Sequence, residues 1–80
     1  GAAAIMSERS TKTDIVRVGY LDNGLPVYAY RYLAPVKGPI MLGLMADEVQ
    51  EVYPEAIVPW AAGTRAVDYG KVAELMGAHA

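Results

Sequence analysis

Apolar and polar positions along the chain fall into short blocks of differing period. Ile15, Val16, Val18 and Tyr20 gather β-branched and aromatic side chains and predict a strand. Val27, Tyr28, Ala29, Tyr30, Arg31 and Tyr32 predict a second, with Pro26 at its start, where a missing amide donor costs little. Asp22-Asn23-Gly24 between them is a tight-turn signal, because Asn and Gly tolerate positive φ. The two runs therefore predict a hairpin. Alternation puts Tyr28, Tyr30 and Tyr32 on one face and Val27, Ala29 and Arg31 on the other, which suits packing in the core or against a neighbouring subunit.

Pro35, Gly38 and Pro39 mark a loop, and the apolar stretch from Ile40 to Leu44 reads as a buried strand. The period then changes. Met45, Val49 and Val52 fall on one helical face from Met45 to Tyr53, with Asp47, Glu48, Gln50 and Glu51 facing water. The early acidic residues suit the helix dipole, and Pro54 ends the helix. Ala56 to Val58 and Ala66-Val67 predict short strands on either side of a loop carrying Trp60, read as a loop clasp or an interface anchor. Asp68 is placed to cap a last helix from Tyr69, lined on one side by Val72, Leu75 and Met76. The polar segment from Ser7 to Lys12 reads as exposed. The sum is a small α+β domain: a hairpin, further short strands, one short central helix, and a C-terminal helix with little to pack on in its own chain.

Eighty residues make one domain, and a chain this short buries only about 60% of its unfolded surface. With no Cys it has neither disulfides nor a Cys-based zinc site, so assembly is the natural source of further stability. A net charge of -2 gives no general attraction to nucleic acid or anionic membrane, and no apolar run has the length of a membrane span. Gly1 to Met6 lacks the basic start and the length of a signal peptide, and Gly1 is either native or left from cloning. No cofactor or metal is expected. Gly19, Gly24, Gly38, Gly43, Gly63 and Gly70 form no phosphate-binding pattern, and His79 has no second ligand in view. Glu48 and Glu51 read as a solvated helix face, and the hairpin tyrosines lack the basic neighbours of a base-stacking platform.

Three blocks change this picture. Gly43-Leu44-Met45-Ala46-Asp47-Glu48-Val49-Gln50-Glu51-Val52-Tyr53-Pro54-Glu55-Ala56 resembles the Gly-hydrophobic-hydrophobic-Ala-x-Glu-Val core of the self-cleaving intramolecular chaperone domain found at the C-terminal end of phage tailspikes and endosialidases. Ala66-Val67-Asp68-Tyr69 resembles the Val-Asp-Tyr block before that family's C-terminal helix, and Ser7-Glu8-Arg9-Ser10-Thr11-Lys12 its Ser-Asp-x-x-x-Lys segment, with Glu8 in place of the usual Asp.

The resemblance implies a serine-lysine self-cleaving peptidase that helps an upstream β-rich stalk fold and form a homotrimer, then releases itself. Ser7 would be the nucleophile, Lys12 its general base, and Met6–Ser7 the scissile bond. Residues 1–6 would end the stalk, or come from cloning, and 7–80 would form the chaperone, its C-terminal helix shorter than in the family. The setting implied is the cytoplasm of a bacterial host during phage assembly, with the domain released from the mature virion fibre. The rival reading is a trimerisation or partner-binding module without cleavage.

The chemistry sets its own conditions. Lysine is a base only when neutral, and lowering its pKa from about 10.4 to near 7.5 takes roughly 4 kcal/mol, which burial supplies. Five residues of extended chain span about 17 Å, and a regular helix would leave Ser7 and Lys12 off a common face. They must meet across a bend near Arg9-Ser10-Thr11, or Lys12 must reach Ser7 of another subunit; on either route, assembly is expected to bury Lys12. The oxyanion donor has no sequence signature; a backbone N–H and Arg9 are the candidates.

Overall fold

The two apolar runs do pair as a hairpin in the computed structural model, which describes residues 4–33 and 35–77. The readings made for Gly1, for the loop residue Ala34 and for His79 lie outside the described residues. In chain order the elements are β1 (Ala4–Met6), a 3-10 turn (Arg9–Thr11), β2 (Lys12–Tyr20), β3 (Pro26–Tyr32), β4 (Met41–Gly43), α1 (Ala46–Val52), a 3-10 turn (Pro54–Ala56), β5 (Ile57–Pro59), a 3-10 turn (Ala61–Gly63), β6 (Arg65–Asp68) and α2 (Tyr69–Gly77). The strands form two antiparallel three-stranded sheets, ordered β2-β3-β4 and β1-β6-β5. The α+β class expected from the pattern is what forms.

The hairpin turn closes as its residues dictate. Gly24 N–H donates to Leu21 O at 2.9 Å, and Asn23 Oδ1 accepts from Leu25 N–H at 3.0 Å. Gly24 takes φ +88°, a conformation that costs glycine nothing. Farther along, Lys12 faces Tyr32 and Thr13 faces Arg31, but Val16 faces Ala29, so the ladder bulges between Thr13 and Val16. Asp14 sits in that bulge at φ 54°, its carboxylate 2.8 Å from Lys37 Nζ.

One face of the hairpin sheet is covered and the other is open. On the open face Val16, Ala29 and Leu42 lie in one row across three strands, with Val16 59% and Leu42 68% exposed. This corrects the expectation of a buried strand from Ile40 to Leu44. Ile40 and Leu42 are exposed because β4 is an edge strand on a one-sided sheet; Gly43 and Leu44 turn inward.

The core lies between the second sheet and the two helices: Leu25, Leu44, Ala46, Val49, Tyr53, Ala56, Val67 and Val72. Met45 and Val49 are fully buried as expected, but Val52 is exposed, and Tyr53 fills that part of the core instead. The helix begins at Ala46, with Met45 extended before it, so its buried stripe runs through Ala46, Val49 and Tyr53 and leaves Val52 roughly 90° to one side. Asp68 caps α2 through Lys71 N–H (3.0 Å), as the sequence indicates. The helix is better packed than expected: Val72 is buried, and Leu75 and Met76 lean on the core.

Gly43 stands where two tyrosine hydroxyls converge. A Cβ there would lie 2.7 Å from Tyr69 Oη and 3.1 Å from Tyr30 Oη, and Tyr69 Oη itself accepts from Leu44 N–H at 2.9 Å. Gly43→Ala is therefore expected to lower stability by about 1–3 kcal/mol, read as a fall in the urea midpoint with the native circular dichroism retained.

Candidate functional site

Ser7 follows β1 directly and is held from both sides. Its N–H donates to Arg65 O on β6 at 2.9 Å, and its carbonyl accepts from Ala46 N–H at the start of α1, also at 2.9 Å. The side chain is 1% exposed, and Oγ donates to Ile5 O at 2.7 Å. The following residues reverse direction around one carbonyl. Glu8 O accepts from Thr11 N–H at 3.3 Å, Thr11 Oγ1 at 2.7 Å and Lys12 Nζ at 3.0 Å. The resulting 3-10 turn falls at the bend considered for this segment, and it brings Lys12 Nζ back to the carbonyl of Glu8.

Lys12 is 6% exposed, so the segment from Ser7 to Lys12 is not the exposed stretch its polarity suggests. Arg9 and Ser10 face water; Ser7 and Lys12 turn in, because distant carbonyls and amides satisfy the backbone around them. Nor does the burial of Lys12 wait for a second subunit. Its ammonium lies 4.8 Å from the centroid of the Tyr30 ring and 5.2 Å from that of Tyr32. Among the described residues no hydrogen bond joins Ser7 Oγ to Lys12 Nζ; each is held by a nearby carbonyl.

Burial pushes the Lys12 pKa down from 10.5 to about 8, with the Glu8 carboxylate opposing and Arg9 assisting. The opposition is blunted because Glu8 is already paired. Arg65 grips its carboxylate with Nε–Oε2 at 2.7 Å and Nη2–Oε1 at 3.0 Å, and this hydrogen bond holds Glu8 below the usual carboxylate range against the opposing effect of burial. Arg9, a candidate for charge neutralisation, points elsewhere: it reaches Asp47 at 3.4 Å and Glu48 at 3.7 Å and lies over the Tyr28 ring. Glu48 is accordingly half-buried, accepting from Tyr28 Oη at 3.0 Å, and is not part of a solvated face; Glu51 is.

Two groups at the site escape sequence reasoning. Tyr32 Oη donates to Met6 O at 2.8 Å, and Tyr30 Oη lies 3.3 Å from Tyr32 Oη. The signal was the tyrosine alternation on β3, which fits packing equally well. Among the described residues no group of three or more His, Asp or Glu side chains stands close enough to hold a metal.

The three sequence blocks thus meet in space. Ser7 bonds to Ala46 of the Gly43–Ala56 block and to Arg65 beside the Ala66–Tyr69 block, and Tyr69 holds Leu44. The family model described as the chaperone of endosialidase, a peptidase family by name, matches residues 7–58. The chain belongs to this family. No curated protein and no solved structure matches it. The match to the endosialidase chaperone begins at Ser7 and includes Lys12 and all of α1. β6 and α2 lie beyond it, joined to the matched part by the contacts of Arg65 and Tyr69.

In this endosialidase-chaperone domain the lowered pKa of Lys12 has a thermodynamic sign. The unfolded chain binds more protons than the folded one between pH 8 and 10.5, so stability rises with pH across that window and the cost is fully present below it. Lys12→Met is expected to stabilise the domain at pH 7 by on the order of 3 kcal/mol, the gain shrinking toward pH 10.5. Urea melts of both proteins across that range check this, and superimposable curves would refute it.

Proposed function

We propose that this domain is an intramolecular chaperone that assists the folding and trimerisation of a phage tail fibre or tailspike in the bacterial host, and that it releases itself by one cut between Met6 and Ser7. The observation that carries the reading is Lys12: a buried lysine, its pKa lowered to about 8, hydrogen-bonded to the carbonyl of Glu8, the residue that follows Ser7. At pH 7 roughly a tenth of such a group is neutral and available as a base. An exposed lysine would be neutral less than about one time in a thousand.

The steps follow from the atoms present. Ser7 Oγ leaves its bond to Ile5 O, passes its proton to neutral Lys12 Nζ and attacks the Met6 carbonyl carbon. The C–N bond then breaks, the electron pair goes to Ser7 nitrogen, and Lys12 returns the proton to it. This leaves Met6 as an ester on Ser7 Oγ. Water hydrolyses the ester, giving a Met6 carboxylate and a domain that begins with a free Ser7 amine. No metal or cofactor takes part.

Assembly fits the same reading. The open row of Val16, Ala29 and Leu42 gives neighbouring copies an apolar surface, and so does an apolar cleft of about 300 Å³ between α2 and the β4 edge. The separation of Ser7 Oγ and Lys12 Nζ onto different carbonyls is what a site awaiting a trigger requires, and trimerisation is the event we assign to it. That same separation favours the second reading, a trimerisation or partner-binding module that does not cut.

The full-length precursor separates the two. Wild type is expected to yield a fragment starting at Ser7 by intact mass, and Ser7→Ala and Lys12→Ala to remain whole. The cleavage rate should rise about tenfold per pH unit and level off near pH 8, following deprotonation of Lys12. An uncut wild type in a sample shown to be trimeric would establish the non-cleaving module instead. A cleavage-competent monomer would remove the link to assembly.

A further inference from the structure

Met6 ends β1, the outer strand of the order β1-β6-β5. Ser7 N–H is turned toward β6, where it meets Arg65 O, so strand alternation aims the Met6 carbonyl off the open edge of the sheet. There it meets a phenol from the other sheet. A carbonyl oxygen only accepts, so the Tyr32 hydroxyl proton must point at Met6 O along the 2.8 Å bond. Each phenol has one proton, and that of Tyr32 is committed. At 3.3 Å, Tyr30 Oη is therefore the donor to Tyr32 Oη, and the two hydroxyls form a directed chain ending on Met6 O.

Resting on the Ser7–Lys12 reading above, we propose that Tyr32 is a catalytic residue of the cut: its hydroxyl holds the charge that develops on Met6 O, and Tyr30 strengthens it as a positioning residue. When Ser7 Oγ adds to the Met6 carbonyl carbon, the C=O electron pair moves onto oxygen and the existing hydrogen bond shortens and strengthens. It weakens again when the C–N bond breaks and the C=O bond re-forms. No proton leaves Tyr32 in this cycle; the transferred proton belongs to Ser7 and Lys12. The donor is already aimed before reaction, so no reorganisation is required at the transition state. Tyr30 is 3% exposed and packs edge-on against Tyr32, with centroids 5.2 Å apart and planes at 85°, which fixes the ring that carries the donor.

The test uses the full-length precursor. Tyr32→Phe removes one hydroxyl and is expected to slow cleavage at Met6–Ser7 roughly 100- to 1,000-fold, while the rate still levels off near pH 8, since that midpoint belongs to Lys12. Tyr20→Phe, at an exposed tyrosine of the same hairpin, should cut at the wild-type rate. In a Ser7→Ala background carrying a ¹³C carbonyl at Met6, Tyr32→Phe should move that resonance upfield, a readout independent of cleavage. If wild type cuts and a folded Tyr32→Phe cuts equally fast, the role of Tyr32 is overturned and the Ser7–Lys12 reading stands. An uncut, trimeric wild type overturns both, whether or not the carbonyl resonance moves. Should Tyr32→Phe fail to fold, Tyr30→Phe, which leaves the donor but removes its supporting hydroxyl, is expected to slow cleavage severalfold; an unchanged rate would overturn the proposal.

Discussion

The ammonium group of Lys12 sits where water scarcely reaches, and the structure around it is arranged to bear the cost. Removing a charge from water is expensive unless other dipoles replace the solvent. Here the replacements are one backbone carbonyl, that of Glu8, and the faces of Tyr30 and Tyr32. The obvious counterion, the Glu8 carboxylate, is drawn off by Arg65. A direct Glu8–Lys12 pair would have stabilised the charged lysine and held its pKa up. The domain accepts a less stable native state in exchange for a lysine that deprotonates near neutral pH.

That arrangement depends on residues far apart in the chain. The 3-10 turn sets the direction of Lys12, but the position of Ser7 comes from Arg65 O and Ala46 N–H, and the tyrosine layer has room only because Gly43 carries no side chain. Changes at Gly43 or Tyr69 should therefore reach the site through packing, although among the described residues neither is hydrogen-bonded to Ser7. This gives a physical reason for the three blocks to appear together in one sequence: each supplies a surface that the other two press against.

The hairpin was legible because Asp22-Asn23-Gly24 and the flanking β-branched and aromatic runs agree with each other. The helices were legible because Pro54 and Asp68 punctuate clear apolar spacings. The burial of Ser7 and Lys12 was not, since a polar hexapeptide reads as exposed unless its distant partners are known. Ile40, Leu42 and Val52 misled in the opposite direction. Apolar character reveals what a residue would prefer to do, not whether the fold leaves a sheet face or a helix end uncovered. Ser7 and Lys12 were singled out through family likeness alone, and the contact of Tyr32 with Met6 went unforeseen because a tyrosine in a strand has an adequate explanation in packing.

β1 also serves the domain as a structural element. Its three residues cover one side of β6, yet they lie before Ser7 and so, on the proposed reaction, on the far side of the broken bond. A cut would turn a covalent strand into a bound peptide with only three residues of pairing to retain it. Once that peptide departs, β6 is left with unpaired amides and carbonyls along one margin, a surface that readily recruits another strand. The discarded domain would then be stickier than the one still attached, and its fate after release would depend on what next occupies that margin.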